Sequence, residues 1–369
     1  MSKKDAQPQG ALPSQILRKM IREKVIRGAS EKNVQPASLD VTISDEVYRV
    51  ERLFLPDTGE TVRSLLSHVG AVPHSLSTPM ERGVTYLARL NESLALPKDV
   101  YAFCNPKSST GRNDIHVRVL ADQVSRYDDI TPAGWKGELW IALSPRSFPV
   151  LIEEGFALSQ LRFFNTNTRL DEASIVRMFD EEPLLFNSKG KPVRYEDLKV
   201  KNHNGSLTLT LDLSTKIIGY ECLEPSKVLK LSSRGMVSPE KFFRPIERNG
   251  DSIVLHEGRF YILSTLERVR VPATLACEMR PMDERYGDFR AHYAGFIDPG
   301  WGWGKKGEGK GRTLTLEVRP FENLEVRHGQ VIARIVFERM AEVPDRLYDT
   351  INSTYTDQLG PRLAKQFSA

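Results

Sequence analysis

Cysteine is scarce in this chain. The three cysteines in 369 residues, Cys104, Cys222 and Cys277, stand far apart and form no Cys-x-x-Cys pair, which excludes a disulfide framework and a zinc-finger spacing. No apolar run approaches the roughly 18 residues of a spanning helix, and the opening MSKKDAQPQGALPSQ lacks the apolar core of a secretory signal. The expected compartment is the cytoplasm. Charge of one sign is also missing, because 52 basic against 48 acidic residues leave a net +4, far from the dense basic footprint of a dedicated nucleic-acid binder. Neither nucleic acid nor a membrane is expected as a partner, and small anions remain open.

What is present is ordinary globular material, with 40% apolar and 27% charged residues. The length suits two modest domains or one large one. Residues 14–27, SQILRKMIREKVIR, space apolar side chains as an amphipathic helix opened by a Ser cap. The rest reads as β. Short segments rich in Val, Ile, Leu and Thr, such as SLDVTI (38–43), YLARL (86–90), ELWIAL from residue 138, TLTLEV (313–318) and QVIARIVF (330–337), are separated by turn residues at short intervals. This favours an all-β barrel or sandwich.

An internal repeat organises the chain. Without a gap, residues 83–112 and 258–287 share Gly83/Gly258, Tyr86/Tyr261, Glu92/Glu267, Pro97/Pro272 and Pro106/Pro281. Both copies then continue with a Gly-Trp (Gly134-Trp135, Gly300-Trp301), a strand, a charged residue before Gly, and a last apolar strand. The expected division is a first domain over 1–178, a charged linker over 179–205 and a second domain over 206–369, with a tail from 345 to 369.

Asn105-Pro106-Lys107-Ser108-Ser109-Thr110-Gly111-Arg112 gathers an ammonium, three hydroxyls, a glycine and a guanidinium. Such a loop suits a polyphosphate. By composition alone it suits a solvated turn as well, and it lacks the spacing of a P-loop.

KSSTGR (107–112), IDPGW (297–301), TLE (315–317), PASLD (36–40) and TYTDQLGP (354–361) together resemble the dCTP deaminase family. The resemblance implies two diverged copies of the trimeric β fold that this family shares with the dUTPases: tandem dUTPase-like barrel domains of the β-clip type, mainly β, with a few short helices. It implies that Lys107, Ser108, Ser109, Thr110, Gly111 and Arg112 grip the nucleotide, with Lys107 in place of the family's first Arg. Asp298, Thr315 and Leu316 would lie beside the pyrimidine and sugar, and Glu317 would be the catalytic carboxylate, with Ser108 and Arg112 orienting it and its water. Tyr355, Gln358 and Lys365 match the family's tail, which folds over the triphosphate. PASLD is assigned a structural role only.

The copies keep different parts. In the first, Ala142 stands where the catalytic Glu belongs and the turn reads Ile130-Thr131-Pro132-Ala133; in the second, Met282-Asp283-Glu284 replaces the phosphate loop, and its two carboxylates would repel a triphosphate. The halves are complementary. One composite site is expected, within a chain or between chains, with first and second copies facing each other rather than forming separate rings.

The implied reaction is hydrolytic deamination of dCTP to dUTP and ammonia, supplying dUTP for thymidylate synthesis. No His-x-Glu and Pro-Cys-x-x-Cys pair is present for zinc, so Glu317 would move the protons, best with burial bringing its pKa toward the operating pH. Mg2+ is expected on the triphosphate oxygens rather than in a protein cage. dCTP and dUTP are the expected partners, with dTTP as a regulator and homo-oligomerisation as the assembly. Two alternatives stand beside this. One is a dUTP pyrophosphatase or bifunctional enzyme, disfavoured by Trp301 after the turn Asp and by a tail without GFGSTG. The other is a non-catalytic pyrimidine-nucleotide-binding protein, since each copy alone is incomplete.

Overall fold

The computed structural model describes residues 8–282, 284–286, 289–291, 295–351, 355 and 358–368, with the backbone only at 284 and 289–291. Among them the chain is mostly β. In the first half a nine-stranded sheet runs in the order Ile115–Ala121, Lys136–Pro145, Thr85–Ala95, Leu39–Val50, Ala157–Phe164, Tyr101–Pro106 and Asp129–Ile130, with two short strands beside this path. The second half repeats that order in two pieces. Phe289–Ala291, Arg312–Pro320, Tyr261–Val269 and Ile217–Cys222 form one, and Ser206–Thr210, Val331–Arg339, Leu275–Arg280 and Phe296–Ile297 the other. Where the first half has one long strand, Leu39–Val50, the second has two, Ser206–Thr210 and Ile217–Cys222. That break falls between the two larger sheets of the second half, and Ser252–Leu255 pairs with Leu324–Arg327 as a separate two-stranded sheet.

The repeated identities do repeated work. Glu92 accepts from the backbone N and Oγ1 of Thr42 at 2.9 and 3.0 Å, and Glu267 accepts from the same two groups of Thr210 at 2.7 Å. The Tyr86 hydroxyl accepts from Glu81 N at 2.9 Å, and that of Tyr261 from His256 N at 3.0 Å. Each pair satisfies buried polar groups that would otherwise destabilise the sheet.

The core departs from a simple division at the expected boundary. Leu170 and Ile175 lie in the second core, and Leu184 and Leu185 within the expected linker are fully buried there. Leu185–Phe186 pairs with Val269 and Arg268, so the charged stretch is partly built into the second half. Conversely, Leu229, Leu231, Phe242 and Phe243 of the second half, with Leu363 and Phe367 of the tail, pack in the first core. The N-terminal helix is shorter than its periodicity predicts. It runs over Ser14–Arg22 behind Pro13, Lys24 turns the chain at φ 59°, and Ile26–Arg27 joins the sheet opposite Leu94 and Ser93. Ser14 is not its cap; its hydroxyl bonds Asp345. No helix among the described residues is long and apolar enough to cross a membrane.

Candidate active site

The strand Arg312–Pro320 presents alternate side chains to opposite faces, as a pleated strand must. Leu316 and Val318 enter the second core, while Thr315 and Glu317 face a cavity of about 330 Å³. Its register gives Glu317 a counterpart in the first half. Glu317 pairs with Ile262, and Ala142 pairs with Leu87, which is the residue that the gapless repeat aligns with Ile262. Ala142 is buried beside Trp140 and Leu87 in an apolar cluster, so the first copy offers no carboxylate at that place.

On the other wall stands the loop of the first half. It leaves the strand Tyr101–Pro106 and makes one helical turn, Ser108–Gly111, closed by Arg112 N donating to Ser108 O at 3.0 Å. Lys107, Ser108, Ser109 and Arg112 line the cavity. Thr110 and Gly111, expected among the substrate-binding residues, do not line the cavity: the Thr110 hydroxyl donates to Leu158 O at 2.9 Å inside the fold and Gly111 is buried in the turn. Leu316 is likewise absent from the cavity for the alternation just given.

The halves meet within one chain. Arg112 Nε lies 3.8 Å from Glu317 Oε1, and both side chains are almost wholly buried. Arg112 is held further from the tail: Nη2 donates to Gln358 Oε1 at 2.9 Å, Nη1 to Arg362 O at 3.1 Å, and the guanidinium lies 3.9 Å from the centre of the Tyr355 ring. Gln358 in turn donates to Thr313 O and Thr315 Oγ1 at 3.1 and 3.0 Å. Two residues beyond each partner, Arg319 pairs with buried Asp114, tying the loop to the Glu317 strand. Sequence reasoning missed this staple; a charge on the same strand face as Glu317 was its one visible sign.

Asp298 lines the cavity and accepts from Ala37 N at 3.2 Å. Burial pushes its carboxyl up to about 7; the Asp40 charge adds to this, while the Ala37 N–H, Lys107 and Arg162 oppose it. Asp40, from the segment read as structural, pairs with Lys107 and reaches the cavity as well. Trp301, from the same turn as Asp298, lines it too, and Gln160 and Arg234 line it without having been expected. Tyr355, Gln358 and Lys365 line it as expected. Asp283 and the side chain of Glu284, the carboxylates of the second loop, lie outside the described residues. The Gly/Lys-rich stretch GWGKKGEGKG (302–311) does not line the cavity, and the backbone N–H groups of Lys305 and Lys306 donate to Glu308 at 3.1 and 2.7 Å.

The arrangement brings a buried carboxylate on one wall against a guanidinium on the other, with lysines on the loop and tail. Such a cavity suits a polar ring with an anionic chain. Comparison with known proteins agrees with this. Residues 8–167 match the model of the 2'-deoxycytidine 5'-triphosphate deaminase (DCD) N-terminal domain, and residues 171–367 that of its C-terminal domain. The crystal structure of 2'-deoxycytidine 5'-triphosphate deaminase from Agrobacterium tumefaciens superposes with a TM-score of 0.81 at 34% identity, covering 92% of this chain and 100% of that one. Among curated relatives, "dCTP deaminase, dUMP-forming" of Corynebacterium glutamicum (strain R) is 30% identical over 125 residues, 32% of this chain and 61% of the relative. The protein of that name from Halobacterium salinarum is 32% identical over 125 residues, 32% of this chain and 60% of the relative. The chain thus spans about three-fifths of the length of these curated relatives. With both halves matched in order and each supplying one wall of the cavity, the chain belongs to the 2'-deoxycytidine 5'-triphosphate deaminase family.

Proposed function

We propose that this chain hydrolyses dCTP to dUTP and ammonia at the cavity that Arg112 and Glu317 line between its halves. The observation that carries this reading is the contact of Arg112 from the first half with Glu317 from the second, 3.8 Å apart. Glu317 takes a proton from water as the water adds to C4 of cytosine and delivers it to N3; it then takes the proton of the new C4 hydroxyl and delivers it to the amine, so that the C4–N bond breaks, ammonia leaves and the carbonyl forms. Arg112 fixes the carboxylate, and Ser108 holds the water. Lys107 and Lys365 bind phosphate, with Asp298 and Thr315 beside the nucleoside. We assign the proton transfers to Glu317, the buried carboxylate that lines the cavity against Arg112. Mg2+ enters this reading on the triphosphate oxygens of the substrate. Homo-oligomerisation, feedback by dTTP and a cytoplasmic setting belong to the same reading.

Glu317→Gln keeps the shape and removes the base. Ammonia release from dCTP is expected to fall at least about a hundredfold while dCTP binding persists. Undiminished release would remove Glu317 from the mechanism, and a wild-type protein that binds dCTP without releasing ammonia would leave a nucleotide-binding protein. A second reading, favoured by the dUMP-forming relatives, adds cleavage of the α–β phosphate bond. Pyrophosphate measured beside ammonia separates the two.

A further inference from the structure

Besides Arg112, three cations from three separate segments line the cavity: Lys107 on the first-half loop, Lys365 on the tail, and Arg234. Arg234 belongs to none of the segments that carry the family resemblance. It sits on a second-half loop whose start, Leu229–Lys230, runs parallel to Val150–Leu151 of the first half. The loop is then laced to the tail. Gly235 N donates to Lys365 O at 2.9 Å, Val237 N to Gln366 O at 3.1 Å and Ser368 N to Val237 O at 2.8 Å, and the Gln366 amide donates to Leu231 O at 2.8 Å. Arg234 and Lys365 are therefore fixed relative to each other by backbone on both sides.

We infer that Arg234, acting with Lys365 and Lys107, holds the terminal phosphate and so reads the length of the phosphate chain. The inference rests on the reading of the cavity as a nucleotide site. Lys107 pairs with Asp40, and Asp298 and Glu317 also line this cavity. The charges are close enough to be felt: after burial, Lys107 and Arg234 are the groups that lower the Lys365 pKa, and Asp40 opposes them. A polyanion relieves that repulsion. Arg234 supplies the planar fork that suits a terminal phosphate, which a lysine does not, and Lys107 supplies the charge nearer the loop.

Calorimetric titration with inorganic tripolyphosphate and with pyrophosphate tests this without turnover. Arg234→Gln is expected to weaken tripolyphosphate about ten- to a hundredfold, the range for a charge-assisted hydrogen bond, and pyrophosphate less than threefold. Arg234→Lys, which keeps the charge and loses the fork, is expected to fall between. Arg234 is exposed, so both variants should unfold as the wild type does. Equal loss for both anions, no loss for either, or a wild-type protein that binds no tripolyphosphate overturns the inference. Selective loss beside a wild-type protein that releases no ammonia from dCTP sinks the deaminase reading and leaves this one standing.

Discussion

Asp298 shows how far a single carboxyl can be moved by its surroundings. Burial raises its pKa to about 7 and Asp40 adds to the rise, while Ala37 N–H, Lys107 and Arg162 restrain it. In the unfolded chain the same group titrates near 3.9. A carboxyl whose folded pKa is raised supports the fold while protonated, and that support is lost as pH rises through about 7. Melting temperature followed from pH 5 to 8.5 should fall from pH 5 to about 7 and level off above it, and Asp298→Asn should flatten part of the fall. Parallel curves for the two proteins would show that Asp298 does not carry the effect.

The tail is the element whose behaviour departs furthest from a loose terminus. Phe367 packs against Phe242 and Phe243 with ring centres 5.6 and 5.3 Å away, while Gln366 holds Asn113 at 3.0 Å, next to Arg112. One end of the tail is thus core and the other is cavity wall. Phe367→Ala is expected to cost roughly 3 kcal/mol in urea unfolding and to reduce ammonia release as well, since Lys365 loses its anchor. Full stability in that variant would mean the tail docks without its aromatic residue. Strand alternation explains a smaller point: a run such as Thr-Leu-Glu cannot turn all three side chains to one cavity, so Leu316 was lost to the core when Thr315 and Glu317 faced the site.

At the scale of the molecule, the seam is fixed by buried charge. Arg162 donates from Nε to Asn105 Oδ1 at 2.7 Å, pairs with Glu278 at 3.0 Å and bonds Glu338. The arginine and the asparagine come from the first half, and the two glutamates from the second. Arg162→Ala leaves two buried carboxylates uncompensated, and a loss of roughly 3–5 kcal/mol is expected in chemical denaturation. Because Arg112 and Glu317 meet only across this seam, deamination should fall with it. A variant as stable as the wild type would show that apolar packing alone aligns the halves.

The amino-acid sequence by itself determined the β class, the duplication and the division of chemistry between the copies. These follow from local patterns: period-two strands, turn residues, a gapless repeat over 83–112 and 258–287, and family motifs kept in one copy and lost in the other. Only the tertiary structure decided that the surviving parts meet inside one chain. It also decided that Thr110 and Gly111 turn into the fold, that Asp40 and Arg234 reach the cavity, and that Asp114 and Arg319 lock its walls. Such contacts join residues as far apart as Arg112 and Gln358, 246 positions along the chain. They depend on how two cores dock and where the tail is pinned, and no one-dimensional spacing encodes that geometry.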